Sequence, residues 1–303
     1  MFRSILCAAI LAASSATAFA QVSLQPRLNE NTKFRTTIEV STDQTLTLAG
    51  MPLETKVRQF IVTNDEIGAK QADDKVQMTG RMETFQIEMK LPGGIELNFD
   101  AGNPTTDAPI PQLTPILKMF DAMSSSTYET TFSGPGKIES IKLKGDKFDA
   151  LDDALKQELS SEKMKQEASQ ALARLPSGPV QKGDTWDRTE TSNLGSGQTF
   201  EMERTFEYLG TVTEGGRELD RIGIRTKSVT YNIEPNPGLP VELKSSDLNI
   251  AKSGGEFLFD RKLGAIVRTT DSFTVEGKLT LVAAGNELAG ELSLTISSKS
   301  SRE

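Results

Sequence analysis

The chain has 303 residues, a net charge of −8, 36% hydrophobic and 25% charged residues, one cysteine and no histidine. Such a composition suits one large folded domain or two ordinary ones. It leaves out a disulfide scaffold, Ser-His-Asp and Cys-His catalysis and the ordinary zinc site, and its acidity without a basic cluster makes nucleic acid or anionic lipid headgroups poor partners.

Residues 1–20 read as a secretory signal peptide: Arg3 as the basic start, Ile5 to Leu11 as the apolar run, and Ala18-Phe19-Ala20 as the cleavage site. Cleavage between Ala20 and Gln21 gives an exported protein, periplasmic or extracellular. It also removes Cys7 and Arg3, moving the net charge from −8 to about −9. The apolar run is too short to span a membrane, so no transmembrane span is expected in the mature chain.

Residues 21–33 read as an extended lead-in. A first β region carries Phe34, Ile38, Leu46 and Leu48, turns at Gly50-Met51-Pro52, and returns through Val57 to Thr63. Next comes KVQMTGRMETFQIEMKLPGGIELNFDAGNP, Lys75 to Pro104. Phe85, Ile87, Met89 and Leu91 alternate with polar residues, and so do Ile95, Leu97 and Phe99. A three-residue loop, Pro92 to Gly94, pairs Leu91 with Ile95 and Ile87 with Phe99, and Gly94 suits the left-handed position such a loop ends on. The parity change from Met82 to Phe85 predicts a bulge near Glu83-Thr84.

The Pro-rich run AGNPTTDAPIPQLTP leads into a helix over 113–123, with Thr114 as N-cap and Pro115 at the first helical position. Tyr128 to Leu143 reads as a hairpin turning at Ser133 to Gly136. Helices follow over 147–158, with Asp146 as N-cap, and 161–175, stopped by Pro176-Ser177-Gly178-Pro179. The rest reads as β: strands around Phe200–Val212 and Leu219–Ile233 joined at Gly215-Gly216, a second Pro-rich run EPNPGLPVEL, and a strand Leu248–Phe259 with a turn at Asp260–Gly264. In the last hairpin a Gly285-Asn286 turn pairs Ala283 with Leu288 and Leu279 with Leu292. The tail SSKSSRE reads as frayed.

The expected architecture is therefore mainly β (α+β), with long antiparallel strands in two curved sheets or half-barrels and a few packed helices. The expected divisions are a signal peptide (1–20), an N-terminal β domain with the helices (21–175), a linker (176–182) and a C-terminal antiparallel β domain (183–303). The halves share a plan, strand entry then long strands then a Pro-rich run, which either an old duplication or the ordinary recurrence of long hairpins and Pro-rich loops in β proteins would leave.

No catalytic residue, metal site or cofactor is expected. Gly136-Lys137 looks like the end of a phosphate-binding loop, but Thr131 and Ile138 stand where that loop needs Gly and Ser/Thr. Ser160 and Lys163 have the spacing of a serine nucleophile and its lysine base, yet the KTG partner is absent and Ser at a helix start is ordinary capping. Asp73-Asp74 and Asp152-Asp153 read as solvated faces, and no acid pair stands out for hydrolysis. Met78, Met82, Met89, Met119 and Met123 are concentrated in one region, and methionine suits adaptable apolar surfaces as well as ordinary core. The expected site is a groove between sheet and helix formed by Met82, Phe85, Met89, Leu117, Phe120 and Met123.

LAGMPLETK (48–56), LPGGIELNFD followed by Asn103-Pro104, and KGDTWDR (182–188) resemble a family of exported bacterial proteins of unknown function. More loosely, long antiparallel strands with helices resemble periplasmic lipoprotein carriers of the LolA type. The expected function is thus a non-catalytic exported protein binding a hydrophobic small molecule. The alternative is a structural or protein-interaction module with an envelope partner, and the remote one a carboxylate-based hydrolase.

Overall fold

The computed structural model describes residues 21–71, 73–105, 107–195, 197–233, 241–283 and 285–303. The expected signal peptide, with Ala20, and residues 234–240 of the second Pro-rich run lie outside them. Gln21, the expected mature start, is exposed.

The strands are β1 (Thr32–Leu48), β2 (Met51–Lys70), β3 (Val76–Leu91), β4 (Ile95–Asp100), β5 (Thr127–Phe132), β6 (Ile138–Lys144), β7 (Thr185–Gly195), β8 (Gln198–Glu214), β9 (Arg217–Ile233), β10 (Val241–Asp260), β11 (Ala265–Ala283) and β12 (Asn286–Arg302). The helices are α1 (Thr114–Ser125), α2 (Asp146–Asp149), α3 (Asp153–Glu158) and α4 (Ser161–Ala173), with a 3-10 turn at Pro111–Leu113. The mainly β class with long antiparallel strands and few helices is what the chain adopts. Its strands form one 12-stranded sheet rather than two, in the order β6-β5-β3-β2-β1-β12-β11-β10-β9-β8-β7, with β4 beside β3. The join is β1 on β12, in register from Thr36↔Arg302 to Leu48↔Gly290. A pairing between strands so distant in sequence leaves no local signature.

Local pattern fixed the hairpins. Leu91 pairs with Ile95, Met89 with Leu97 and Ile87 with Phe99, closing the three-residue loop as read, with Gly94 at φ +77°. Val62 pairs with Thr84 and Thr63 with Met82, so Glu83 is the expected bulge. The first hairpin turns at Ala49-Gly50, both left-handed, because Leu48 pairs with Met51. In the last hairpin Leu281 meets Leu288 and Leu279 meets Gly290, so Asn286 is already strand and the register moves by two residues. A two-residue shift keeps every side chain on its face, and this one sets leucine against leucine.

Four further expectations are corrected. The helix over 147–158 is two pieces, because the Asp152 side chain caps a new helix by accepting from the Leu155 N–H at 2.9 Å. Leu113, not Thr114, is the N-cap of α1, which places Pro115 one position further in; Gly145, not Asp146, caps α2. The tail is not frayed: β12 runs to Arg302, and Glu303 exchanges both backbone hydrogen bonds with Arg35 at 2.9 Å.

The sheet curls so that its two terminal strands, β6 and β7, both touch α4. Met164, Ala168 and Leu172 of α4 pack on Phe132, Ile138 and Ile141. The other end of α4 is gripped by the KGDTWDR stretch. Trp186 Nε1 donates to the Arg174 carbonyl at 2.7 Å, and Arg188 donates to the Ala173 and Leu175 carbonyls at 2.7 and 2.9 Å. These are the carbonyls a helix end leaves without partners. The lead-in segment crosses the same end of the molecule: Val22 bridges to Val180, Leu24 is buried beside Phe206 and Phe257, and the Arg27 N–H donates to the Gly264 carbonyl. Val180, in the stretch read as a linker, is 6% exposed.

Candidate functional site

Register assigns each strand residue to one of two faces, since paired residues share a side. The inner face carries Phe85, Ile61, Ile38 and Ser300 in one row, Ile87, Gln59, Val40 and Ser298 in the next, and Met89, Val57, Thr42 and Ile296 in a third. Over β1 to β3 and β12 the outer face is largely polar, whereas at the far end Leu219, Leu258 and Val267 form a buried cluster on it. Its shallow grooves, about 550 and 690 Å³, are lined by residues such as Glu39, Arg58, Glu88 and Lys299, and Lys33, Arg35, Asn64 and Arg81.

One sector of the inner face lies under α1. Phe85, Phe99 and Phe120 meet at centroid distances of 5.7 to 5.8 Å in tilted and edge-on geometry, and Leu117 is fully buried beside them. Of the expected site residues, Met82, Phe85, Met89, Leu117 and Phe120 come together here, with the two methionines half-buried at the margin. Met123 falls in the adjoining cluster of Ala122, Leu143, Leu151 and Leu159. Between Phe85 and Phe120 the sheet and helix are packed core.

In a second sector the sheet folds over itself. β9 and β10 pair only over Asp220–Ile224 and Gly255–Phe259, and beyond this the strands diverge. Phe200, Met202 and Tyr231 from one arm then bury against Phe273, Val275, Leu279 and Leu294 from the other. At the fork sits Arg204, 2% exposed, 3.3 Å from Glu190 and 2.7 Å from Asp271 and lying 5.5 Å above the Phe273 ring. Glu190 is also held by Arg174 at 2.8 Å. These two acids do converge, but on a buried guanidinium.

Between the two sectors the inner face is uncovered. Ile38 and Val40 are half-buried and join none of the packed clusters of the described residues, while Val57 and Ile61, also half-buried, pack along the edge of the α1 sector. At one end of this strip the Arg302 guanidinium stands 3.5 Å over the Phe34 ring. Asp65 faces it, accepting from the Thr63 hydroxyl at 2.7 Å, and burial pushes the Asp65 carboxyl up. This strip has no local signature in the sequence. Its apolar residues are separated by Thr36 and Thr42 along β1, and Arg302 joins them only through the β1–β12 register.

Among the described residues no group of three His, Cys, Asp or Glu is placed to hold a metal ion. Ser160 precedes α4 as its N-cap, and Lys163 is paired with Glu158 at 3.0 Å. No helix among the described residues is long and apolar enough to cross a membrane.

No curated protein matches the chain. Among solved structures it is similar to lipovitellin, at 11% identity and a TM-score of 0.44, over 91% of this chain and 25% of that one. The chain thus spans a quarter of lipovitellin's length. It is also similar to the translocator domain of the autotransporter NalP from Neisseria meningitidis, at 8% identity and a TM-score of 0.19, covering 89% and 88% of the two chains. OccK5 (OpdH) of Pseudomonas aeruginosa gives 10% identity and a TM-score of 0.18, covering 89% and 98%. Likeness at these scores says nothing about function. The sequence resemblance to a family of unknown function holds: residues 73–220, just under half of the chain, match the family model described as "Family of unknown function (DUF6263)".

Proposed function

We propose that this chain is an exported, non-catalytic protein that holds a hydrophobic molecule on the uncovered strip of its inner face, beside α1. The observation that supports this reading is the placing of Ile38 and Val40, half-buried and outside the packed clusters of the described residues, next to Val57 and Ile61 at the edge of the α1 sector. Apolar surface left in water costs about 25 cal/mol per Å² relative to burial, so an apolar occupant gains by covering it. The expected groove shifts accordingly from between Phe85 and Phe120 to the margin marked by Met82 and Met89.

Native mass spectrometry of protein purified from its own envelope without detergent tests the reading. A co-purifying mass that releases an apolar molecule, and that is lost in Val40→Asp, supports it. A bare mass together with no uptake of added lipid counts against it.

A second reading, an envelope interaction module, is supported by Phe60. This side chain is 36% exposed in the outer-face groove with Arg58, Gln86 and Glu88. Site-specific crosslinking from position 60 to a single envelope protein would favour it.

A further inference from the structure

Arg302 is an unusual cation for its position. It lies on the inner face, opposite Thr36, half-buried and stacked on Phe34. Among the described residues it has neither a hydrogen-bond acceptor nor a carboxylate within ion-pairing distance. Burial lowers its affinity for its proton, with Asp65 opposing that only in part. Asp65 itself is engaged elsewhere: it accepts from Thr63 and packs over Gly80, where a Cβ would collide with its carboxylate. The half-buried guanidinium keeps its in-plane donors open to water rather than to a protein acceptor, so an anion can complete them.

The apolar strip begins where those donors are. Along β1, Thr36 stands beside Arg302, then Ile38 beside Ser300, then Val40 beside Ser298. The four residue steps from Thr36 to Val40 cover about 13 Å at 3.3 Å per residue. That is close to the ~15 Å depth of hydrocarbon in one bilayer leaflet. We propose that the molecule held here is a long-chain carboxylate, its acyl chain lying on Ile38, Val40 and Ile61 and its carboxylate taken by the Arg302 fork; this rests on the function proposed above.

Charge and shape favour a carboxylate. Phe34 covers one face of the guanidinium and leaves its edge, which matches a planar carboxylate in two parallel hydrogen bonds. One cation neutralises one negative charge. The acidic surface that disfavours anionic membranes does not oppose this, because a single interior cation, not a basic patch, makes the contact.

The test titrates the full chain, free of detergent, with oleate, methyl oleate and dioleoylphosphatidylglycerol by calorimetry. Oleate should bind one to one and about tenfold more tightly than its methyl ester, the effect of one charge-assisted contact. Arg302→Met should abolish that preference while leaving the ester's affinity unchanged, and Arg302→Lys should restore part of it. Equal affinity for oleate and ester would overturn the carboxylate while leaving the apolar site standing. Tighter binding of the phospholipid would also overturn it. Failure of all three ligands to bind would overturn both this inference and the function it rests on. Should Arg302→Met not fold, the wild-type preference for acid over ester decides.

Discussion

Arg204 and Asp271 stand 2.7 Å apart across the fork where the sheet folds over, tying β8 to β11 although those strands share no backbone pairing. Both are nearly buried, so each depends on the other. Arg204→Ala leaves Asp271 a nearly buried charge without its partner and should cost about 3–5 kcal/mol, while Asp271→Ala leaves Arg204 its 3.3 Å contact with Glu190 and should cost less. The joint replacement Arg204→Met with Asp271→Leu should cost clearly less, because Glu190 keeps Arg174. Urea unfolding of the three variants gives the comparison; equal losses in all would contradict it.

Trp186 both stacks on Phe206, at 5.9 Å, and caps the end of α4. Trp186→Phe keeps much of the stacking and loses the hydrogen bond, an expected cost of about 1 kcal/mol. Arg188→Ala frees two carbonyls and should quicken amide exchange in residues 161–173 more than elsewhere. Uniform acceleration over the whole chain would show that the clamp is not local.

Phe120 is the helix's contribution to the aromatic trio, and Phe120→Ala should lose about 3–5 kcal/mol. Met89→Leu, at the half-buried margin, should change stability by less than about 1.5 kcal/mol. Thermal unfolding of both variants checks whether packed core and ligand margin are separate in energy.

Asp65 gives a pH signature. Burial holds its proton in the folded chain to a higher pH than in the unfolded one, against the ordinary value of 3.8. Its contribution is therefore fully present below that value and is lost as pH rises through its folded pKa. Wild type minus Asp65→Asn should show stability falling as pH rises from about 4, the unfolded value. A difference that rises with pH would show the carboxylate to be stabilised by Arg302 instead.

Gly264 has φ +63°, and a Cβ there would meet Arg27, coming 2.6 Å from its backbone nitrogen. Gly264→Ala should displace the lead-in segment as well as strain the turn, a loss of more than about 1 kcal/mol. Limited proteolysis should then cut within residues 21–31 while the sheet stays intact.

The hairpin at Pro92 to Gly94 and the bulge at Glu83 were readable because side-chain parity and glycine placement are local. The last hairpin was misread by two residues because face alternation alone cannot tell one register from its neighbour two along. The union of both halves in one sheet, and with it the placing of Arg302 beside Ile38, depends on β1 meeting β12. The methionines pointed to the right margin, but Phe85 and Phe120 beside them pack as core. Arg204 looked like any charged residue in an alternating strand until Asp271 and Glu190 closed on it.

The joining of β1 to β12 also orders events in time. Thr36 and Arg302 are separated by nearly the whole chain. Contacts so distant pay their loop-closure entropy late, and topologies rich in them fold slowly. The hairpins β1–β2 and β11–β12 can each form early, but each then waits with an open strand edge. The middle of the finished sheet is thus its last seam to close, and until it closes both edges are free to pair with the wrong chain.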